Sequence, residues 1–231
     1  MKLIFVHGSG EWGEIWHKQL GYFKNAEGIT LPGHPEGKLC ADVEGYVDWL
    51  HQYIESRGYN DVILAGHSHG GAIVMTHALK YPNDLKAIAL VDTGARLRVN
   101  SRYITELEEA VNGNFDGWMG TLRWYFRNQS PEEQAALIQK HLDIGPQAQL
   151  YDLRNCDKFD VMDRVHEISI PTLVICGSED TLCPIKYTNY LAQKIPGAKK
   201  VIIQEASHFV FLDKPKEFNK ALGEFIEGLG Q

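Results

Sequence analysis

The 231-residue sequence predicts an α/β fold, with a six-stranded, mostly parallel sheet, helices on both faces and a helical cap insertion. Short apolar segments of strand type alternate along the chain with longer segments of helix type, which is the pattern of a parallel sheet with crossover helices. The alternation stops once, between residues 95 and 165, where no strand-type segment occurs. We therefore predict a core domain formed by residues 1–94 and 166–231, and a helical cap formed by residues 95–165.

The predicted strands are short apolar segments, and most of them end in a turn or a polar loop. They cover Leu3–Val6, Gly28–Leu31, Asp61–Ala65, Lys86–Val91, Pro171–Cys176 and Lys199–Ile203. Their nearly continuous apolar character is typical of parallel strands that are buried on both faces.

The predicted helices of the core domain are amphipathic. They cover Glu11–Phe23, Ala41–Arg57, the segment from Ala72 to Leu79, and a final helix that begins near Pro215. Gly58 follows the second of them in the position of a helix stop. In the cap we predict helices over Ser101–Val111, Phe115–Phe126 and Pro131–His141. Ser130 and Glu133 form a capping box at the start of the last one.

Ser68 lies in Gly66-His67-Ser68-His69-Gly70, between a strand-type and a helix-type segment. A serine between two glycines at such a junction is the nucleophile-elbow pattern. The turn is sharp, so side chains at Gly66 and Gly70 would collide with the neighbouring strand and helix. The pattern predicts that Ser68 is exposed at the edge of the sheet as a nucleophile. The N–H of the next residue lies at a helix N-terminus, where it can stabilise an oxyanion.

Three further loops carry candidate site residues at the ends of predicted strands. His7-Gly8-Ser9-Gly10 follows the first strand, and the Ser9 N–H is the candidate second donor of an oxyanion hole. Asp180 and His208 follow the last two strands, and the carboxyl ends of parallel strands share one edge of a sheet. Asp92 also follows a strand, so it is an alternative acid. A role as a cap of the following loop is at least as compatible with its position.

Composition argues against several classes of protein. The formal net charge of −7 argues against nucleic acid as a partner, because phosphate binding needs a basic face. No apolar run approaches the roughly 18 residues of a membrane span, and no leader-like segment is evident, so we expect a cytoplasmic protein. The four cysteines form no Cys-x-x-Cys pair, and the ten histidines show no ligand spacing. We expect neither a metal site nor a cofactor-binding motif.

The sequence resembles the α/β-hydrolase superfamily, specifically its small esterase-like members. Five short motifs in the family's order carry the resemblance: His7–Gly10, Leu31–His34, Gly66–Gly71, Gly177–Asp180 and Ser207–Phe209. The resemblance implies Ser68 as the nucleophile, His208 as the base and Asp180 as the acid that orients it. It also implies an oxyanion hole formed by the N–H groups of Ser9 and His69.

Two departures from the family pattern are evident. The chain lacks the antiparallel hairpin with which many members begin, so we predict an all-parallel sheet. His69 follows the nucleophile, where Met, Leu or Gln is commoner in the family, and the sequence assigns no task to its imidazole. His34 is a candidate ligand or base, although a loop histidine held by backbone contacts is the favoured interpretation.

These observations predict a serine hydrolase, a carboxylesterase that needs no cofactor and cleaves a small or medium carboxylic ester. One alternative is hydrolysis of a carbon–carbon bond in a dienoate, for which Arg96, Arg98, Arg123 and Arg127 offer cations. Another is a small-molecule receptor with the hydrolase fold. The aromatic segment from Trp118 to Phe126 is either the wall of a substrate pocket or, as slightly favoured, the core of the cap itself.

Overall fold

The computed structural model describes residues 1–230, and its centre is one six-stranded parallel sheet. The strands are β1 Lys2–Val6, β2 Ala26–Ile29, β3 Val62–His67, β4 Leu85–Val91, β5 Thr172–Gly177 and β6 Lys199–Ile203. They lie in the order β2-β1-β3-β4-β5-β6, and all five pairings are parallel. The predicted six-stranded, all-parallel sheet is confirmed.

Alternate residues of each central strand face opposite sides of the sheet, and both sides are packed. In β1, Phe5 belongs to one apolar cluster and Ile4 to the other, and both are fully buried. The Phe5 ring stacks on Trp16, whose other neighbour is the ring of Phe211 with centroids 3.9 Å apart. Each buried side chain of this size stabilises the fold by about 1.5–3 kcal/mol. This two-sided burial is why the strands are recognisable as continuous apolar segments.

Helices cover both faces of the sheet. The α-helices within residues 1–230 are α1 His17–Leu20, α2 Val43–Ser56, α3 His69–Lys80, α4 Ser101–Val111, α5 Asp116–Tyr125, α6 Pro131–Ile144, α7 Pro146–Lys158, α8 Ile185–Lys194, α9 Val210–Asp213 and α10 Pro215–Glu227. Helices α4–α7, hereafter the inserted helices, lie between β4 and β5. The boundaries of a cap domain at residues 95 and 165 stay a prediction. Among residues 1–230, no helix has the length and apolarity needed to cross a bilayer.

The structure corrects the helix prediction at four places. The segment Glu11–Phe23 contains a 3₁₀ helix over Gly13–Trp16 and the single turn α1, rather than one continuous helix. Helices α8 and α9 were not predicted, and neither was α7, which starts at Pro146 directly after Gly145 with φ of 92°. The buried face of α7 carries polar residues, so its hydrophobic periodicity is weak. Those polar residues are Gln149, Asp152 and Asn155.

Candidate active site

Ser68 occupies the sharp turn between β3 and α3. Its backbone has φ of 50° and ψ of −112°, a strained conformation for a residue with a side chain. Added Cβ atoms at Gly66 and Gly70 would each meet backbone atoms, Gly66 against Gly70 and Gly70 against the end of β1. The turn is held by the Thr93 hydroxyl, which donates to the Ser68 carbonyl at 2.8 Å. The predicted elbow is therefore present, and its two glycines are required by close backbone packing.

His208 and Asp180 meet at the carboxyl ends of β5 and β6, as predicted. His208 Nδ1 lies 2.8 Å from Asp180 Oδ2. The other carboxylate oxygen accepts hydrogen bonds from the N–H groups of Leu182 and Cys183 at 2.8 and 2.9 Å. Burial opposes ionisation of Asp180, but His208 and these N–H groups outweigh it and hold the pKa of the carboxyl below its ordinary value. The carboxylate form is thus favoured, and it faces the imidazole.

Asp92, the alternative acid, takes a different position. Its fully buried carboxylate accepts from the Gly177 N–H at 2.9 Å and from the Val210 N–H at 3.1 Å. Burial, together with the charge of Asp180, raises the pKa of Asp92 well above its ordinary value. Asp92 therefore joins the end of β4 to the two loops that carry Asp180 and His208. The His208 imidazole is hydrogen bonded to Asp180, which favours Asp180 as the acid.

Ser68 and His208 open onto one cavity of about 190 Å³, together with Ser9. The cavity wall includes the loop after β5 and three of the inserted helices, α4, α5 and α7. Side chains that line it from those helices include Tyr103, Tyr125, Gln149 and Cys156. The cavity therefore lies between the sheet edge and the inserted helices.

The aromatic segment of α5 divides between core and cavity. Trp118 and Phe126 are buried in the apolar core, and Trp118 donates its indole N–H to Gln149 at 2.6 Å. Tyr125 lines the cavity. Trp124 is 36% exposed and lies outside the cavity wall, with the Arg127 guanidinium 4.5 Å from its ring centre. The favoured core interpretation therefore holds for Trp118 and Phe126, and the pocket interpretation holds for Tyr125.

The two predicted oxyanion-hole donors differ in their surroundings. His69 is the first residue of α3, so its N–H has no partner within the helix. Its fully buried ring makes no hydrogen bond of normal geometry within residues 1–230, and Nδ1 lies 3.8 Å from Asp152 Oδ1. Burial lowers the pKa of the His69 imidazole. Ser9 lies in the loop after β1, which two buried carboxylates contact.

Glu11 is the first of these carboxylates, and sequence reasoning missed it. It is 2% exposed and accepts from the Gly8 N–H at 2.7 Å. Glu11 Oε2 lies 3.1 Å from His67 Nδ1, and His67 Nε2 lies 2.9 Å from the His208 carbonyl oxygen. A carbonyl and a carboxylate both accept, so each nitrogen of the His67 ring faces an acceptor. Burial raises the pKa of Glu11, but the adjacent imidazole outweighs burial, and the pKa lies below its ordinary value.

Asp152 of α7 is the second carboxylate, and it is also fully buried. Its Oδ2 accepts from the Gly10 N–H at 2.9 Å and from His34 Nε2 at 2.8 Å. The Tyr46 hydroxyl lies 3.4 Å from Oδ1. Burial opposes ionisation, but the nearby imidazoles of His69 and His34 and the Gly10 N–H outweigh it and lower the pKa of Asp152. Asp152 lies in the unpredicted helix α7, and no local motif marks it.

His34 is held by backbone contacts, as the sequence favoured, and also by Asp152. Its Nδ1 lies 3.2 and 3.3 Å from the carbonyl oxygens of Leu31 and Pro32. Burial lowers the pKa of His34, but Asp152 and these carbonyl groups more than offset it, and the net pKa is raised. By contrast, His7 accepts from the Leu31 N–H through Nε2, and burial lowers its pKa to about 3. His34 is thus suited to the charged form and His7 to the neutral form.

Two groups of side chains have donor atoms close enough to share a metal ion. His51 Nδ1 and His77 Nε2 both lie within 2.9 Å of Asp84 Oδ2, a proximity that the sequence spacing did not reveal. Those hydrogen bonds already account for the arrangement. The second group adds Cys183 to Asp180 and His208. Burial and the charge of Asp180 raise the pKa of the Cys183 thiol well above its ordinary value, and a protonated thiol is a poor metal ligand.

Comparison with known proteins agrees with this architecture. A family model described as the alpha/beta hydrolase family matches residues 3–221. A solved structure described as that of a thermophilic esterase superposes with a TM-score of 0.86 and is 30% identical in sequence. That match covers 99% of this chain and 90% of the other. The resemblance on which the sequence analysis relied is confirmed.

The curated relatives are less similar in sequence, but their matches also cover most of this chain and of the relative. The (E)-2-((N-methylformamido)methylene)succinate hydrolase of Acinetobacter baylyi is 24% identical over 237 residues, 97% of this chain and 90% of that protein. The pimeloyl-[acyl-carrier protein] methyl ester esterase of Neisseria meningitidis is 23% identical over 255 residues, 99% of this chain and 77% of that protein. The names of these two relatives state different substrates.

Proposed function

The chain belongs to the alpha/beta hydrolase family, and from that premise we propose that it is a serine hydrolase that cleaves a small or medium carboxylic ester. The observation that carries the proposal is the hydrogen-bonded pair His208–Asp180, which opens onto the same cavity as the strained Ser68. This set contains a nucleophile, a base and an orienting acid, which is what acyl transfer to water requires.

In the proposed first step, Ser68 Oγ attacks the carbonyl carbon of the ester while His208 Nε2 takes the hydroxyl proton. The electron pair of the carbonyl bond moves to its oxygen, which the N–H groups of Ser9 and His69 stabilise. When the tetrahedral intermediate collapses, the alcohol leaves with the proton from His208. Asp180 fixes the imidazole tautomer and stabilises the imidazolium that forms in between.

In the second step, water attacks the acyl-enzyme. His208 takes a proton from the water molecule, the carbonyl oxygen again becomes an oxyanion, and Ser68 leaves with the proton returned by His208. The products are the carboxylic acid and the free enzyme. The substrates proposed here therefore need an electrophilic carbonyl that fits a cavity of about 190 Å³.

A panel of p-nitrophenyl esters of increasing acyl length tests this proposal. The wild type should turn over the short and medium esters many times, with kcat/KM falling once the acyl chain outgrows the cavity. Repeated turnover also separates an enzyme from a receptor, which would release at most one equivalent of product. Absence of turnover on every ester would contradict the esterase proposal.

A second candidate is a hydrolase, including a carbon–carbon bond hydrolase, whose substrate carries a free carboxylate. Arg98 favours it, because among the residues that line the cavity it is the only lysine or arginine. Its guanidinium is held by the carbonyl oxygens of Leu97 and Asp157 at 3.1 and 2.8 Å and lies 3.6 Å from Asp160. Part of its charge is therefore balanced, which is why the neutral ester is the first proposal.

Paired substrates separate the two candidates. Esters of a dicarboxylic acid with one free carboxylate should be compared with neutral esters of the same length, beside a dienoate carbon–carbon substrate. If Arg98 binds a substrate carboxylate, Arg98→Gln raises KM for the acidic ester alone. Arg96→Gln is the matched control, because Arg96 also faces Asp160 but does not line the cavity. Equal effects on acidic and neutral esters would exclude this candidate.

A further inference from the structure

The loop after β1 presents three consecutive backbone N–H groups, and the outer two are occupied. The Gly8 N–H donates to Glu11 Oε2 at 2.7 Å, and the Gly10 N–H donates to Asp152 Oδ2 at 2.9 Å. The N–H of Ser9, between them, has no acceptor within residues 1–230. The loop is thus fixed on both sides of Ser9, the only residue of this loop whose amide the proposed mechanism uses.

We propose that Glu11 and Asp152 are positioning residues of the oxyanion hole, which hold the amides flanking Ser9 so that the Ser9 N–H is left to the substrate. This inference rests on the proposed function. It assigns a task to two buried carboxylates that are not members of the proposed triad.

The surroundings of Glu11 and Asp152 favour the charged form of both carboxylates. Each is paired with a buried imidazole, Glu11 with His67 and Asp152 with His34, and each of these rings faces acceptors on both nitrogens. A hydrogen bond from a backbone N–H to a carboxylate is about twice as strong as one between neutral groups. The two amides are therefore held more firmly than in an ordinary glycine-rich loop.

Asp152 also lies beside the second donor of the hole. Its Oδ1 is 3.8 Å from the ring of His69, whose backbone N–H completes the proposed pair of donors. One carboxylate of α7 thereby contacts the loop of the first donor and faces the side chain of the second. The inserted helices thus contribute to the chemistry and not only to the shape of the cavity.

The wild-type protein offers a test that needs no turnover. Amide hydrogen exchange, followed by NMR, should show Gly8 and Gly10 protected and Ser9 exchanging at least about tenfold faster, because only hydrogen-bonded amides are shielded from exchange. Reaction of Ser68 with a fluorophosphonate should then slow exchange at Ser9, since the phosphonyl oxygen occupies the hole. Equal protection of the three amides in the free protein would overturn the proposal.

The rate constant for fluorophosphonate labelling tests the role of Asp152 directly. Asp152→Ala should lower it by about 10²-fold, the usual effect of losing one oxyanion-hole donor. Asp152→Asn retains an acceptor for Gly10 and should recover part of that loss. With p-nitrophenyl esters, Asp152→Ala should lower kcat and leave KM nearly unchanged, because the hole acts in the transition state.

Asp157→Ala is the matched control, because this exposed carboxylate on the same helix also accepts from a backbone N–H, that of Val99. It should be labelled at the wild-type rate. An Asp152→Ala protein that is labelled as fast as the wild type would overturn the proposal, as would an Asp152→Asn protein no better than Asp152→Ala. If the alanine variant does not fold, the exchange measurement decides. A wild type that is labelled at Ser68 but cleaves no ester would instead count against the proposed function.

Discussion

Two groups of loops near the cavity use the same chemical pair, a buried carboxylate against an imidazole, in opposite ways. In the loops after β5 and β6, Asp180 holds His208 through Nδ1, and the ring of His208 reaches the cavity. Around the loop after β1, Glu11 and Asp152 hold His67 and His34, whose second nitrogens face backbone carbonyl groups. The imidazole of His208 has a nitrogen that can exchange a proton with a substrate. Both nitrogens of His67 and of His34 already face acceptors within the protein.

This difference shows what separates a candidate base from a structural ion pair. Burial and a carboxylate partner are common to all three histidines, so neither identifies the base. The distinguishing feature is the nitrogen that is left facing the cavity. A histidine in this fold is therefore assigned a catalytic or a positioning role by the partner of its second nitrogen.

The largest effect is expected from removal of the proposed nucleophile, Ser68, which shares the cavity with His208. Ser68→Ala should abolish fluorophosphonate labelling and lower kcat for esters by roughly 10⁶-fold. Ser130→Ala is the control, because Ser130 caps α6 on the surface and its loss should affect stability alone. Labelling that persists in the Ser68→Ala protein would contradict the assignment of the nucleophile.

The next effect compares the two carboxylates at the strand ends. Asp180→Asn should keep the fold and lower kcat by on the order of 10⁴-fold, because the asparagine favours the wrong imidazole tautomer. Asp92→Asn should cost far less activity and act mainly on stability, since Asp92 binds backbone N–H groups. Steady-state kinetics and thermal unfolding of both variants measure this. A larger kcat loss in Asp92→Asn would show that the acid is misassigned.

A third effect concerns a fully buried histidine within residues 1–230. His141 is fully buried between Trp12 and Phe126, neither of its ring nitrogens makes a hydrogen bond of normal geometry, and burial lowers its pKa from 6.5 to about 4. Below pH 6.5 the unfolded chain takes up a proton at this position and the folded chain does not, so the folded state loses stability as the pH falls. The loss should reach about 3 kcal/mol near pH 4.

His141→Leu should remove this part of the pH dependence. Relative to the wild type, the variant should gain stability steadily as the pH is lowered from 7 to 4, as measured by urea unfolding at each pH. The exposed His166→Leu variant is the control and should show little change in stability. A constant difference between His141→Leu and the wild type across this range would show that folding does not lower the pKa of His141.

The smallest expected effect lies in the cavity wall. Tyr125→Ala should enlarge the cavity and shift the preferred p-nitrophenyl ester towards longer acyl chains by a few-fold in kcat/KM, an effect of about 1 kcal/mol. Trp124→Ala, its neighbour outside the wall, should leave the preference unchanged. If Trp124→Ala shifted the preferred acyl length as much as Tyr125→Ala does, Trp124 would contact the substrate and the assignment of the cavity wall would be wrong.

The sequence predicts the four central strands well because they are buried on both faces. The edge strands β2 and β6 are only partly buried, and β2, which was predicted at Gly28–Leu31, lies at Ala26–Ile29. Ser68, Asp180 and His208 are also predictable, because each lies in the turn or loop that follows a strand and parallel strands end at one edge. Position along the chain therefore supplies the information about proximity in these cases.

The remaining part of the site has no such signal. Asp152 lies in α7, whose buried face is polar, so hydrophobic periodicity does not reveal the helix. Its contacts with Gly10 and His34 span 142 and 118 residues, distances over which a single carboxylate leaves no pattern. Glu11 lies close to its partner Gly8 in sequence, but an acidic residue in a glycine-rich loop is usually solvated. Both carboxylates are recognisable as part of the candidate site only from their burial in the structure, not from their residue type.

The inserted helices connect β4 to β5, which are neighbours in the sheet although about 80 residues separate them. The entropic cost of closing a chain segment grows only with the logarithm of its length. Relative to a crossover of about 20 residues, this connection costs about 1.2 kcal/mol more in closure entropy. The sheet therefore tolerates a long and variable insertion at this one crossover, which leaves the length of the insertion free to change with the substrate.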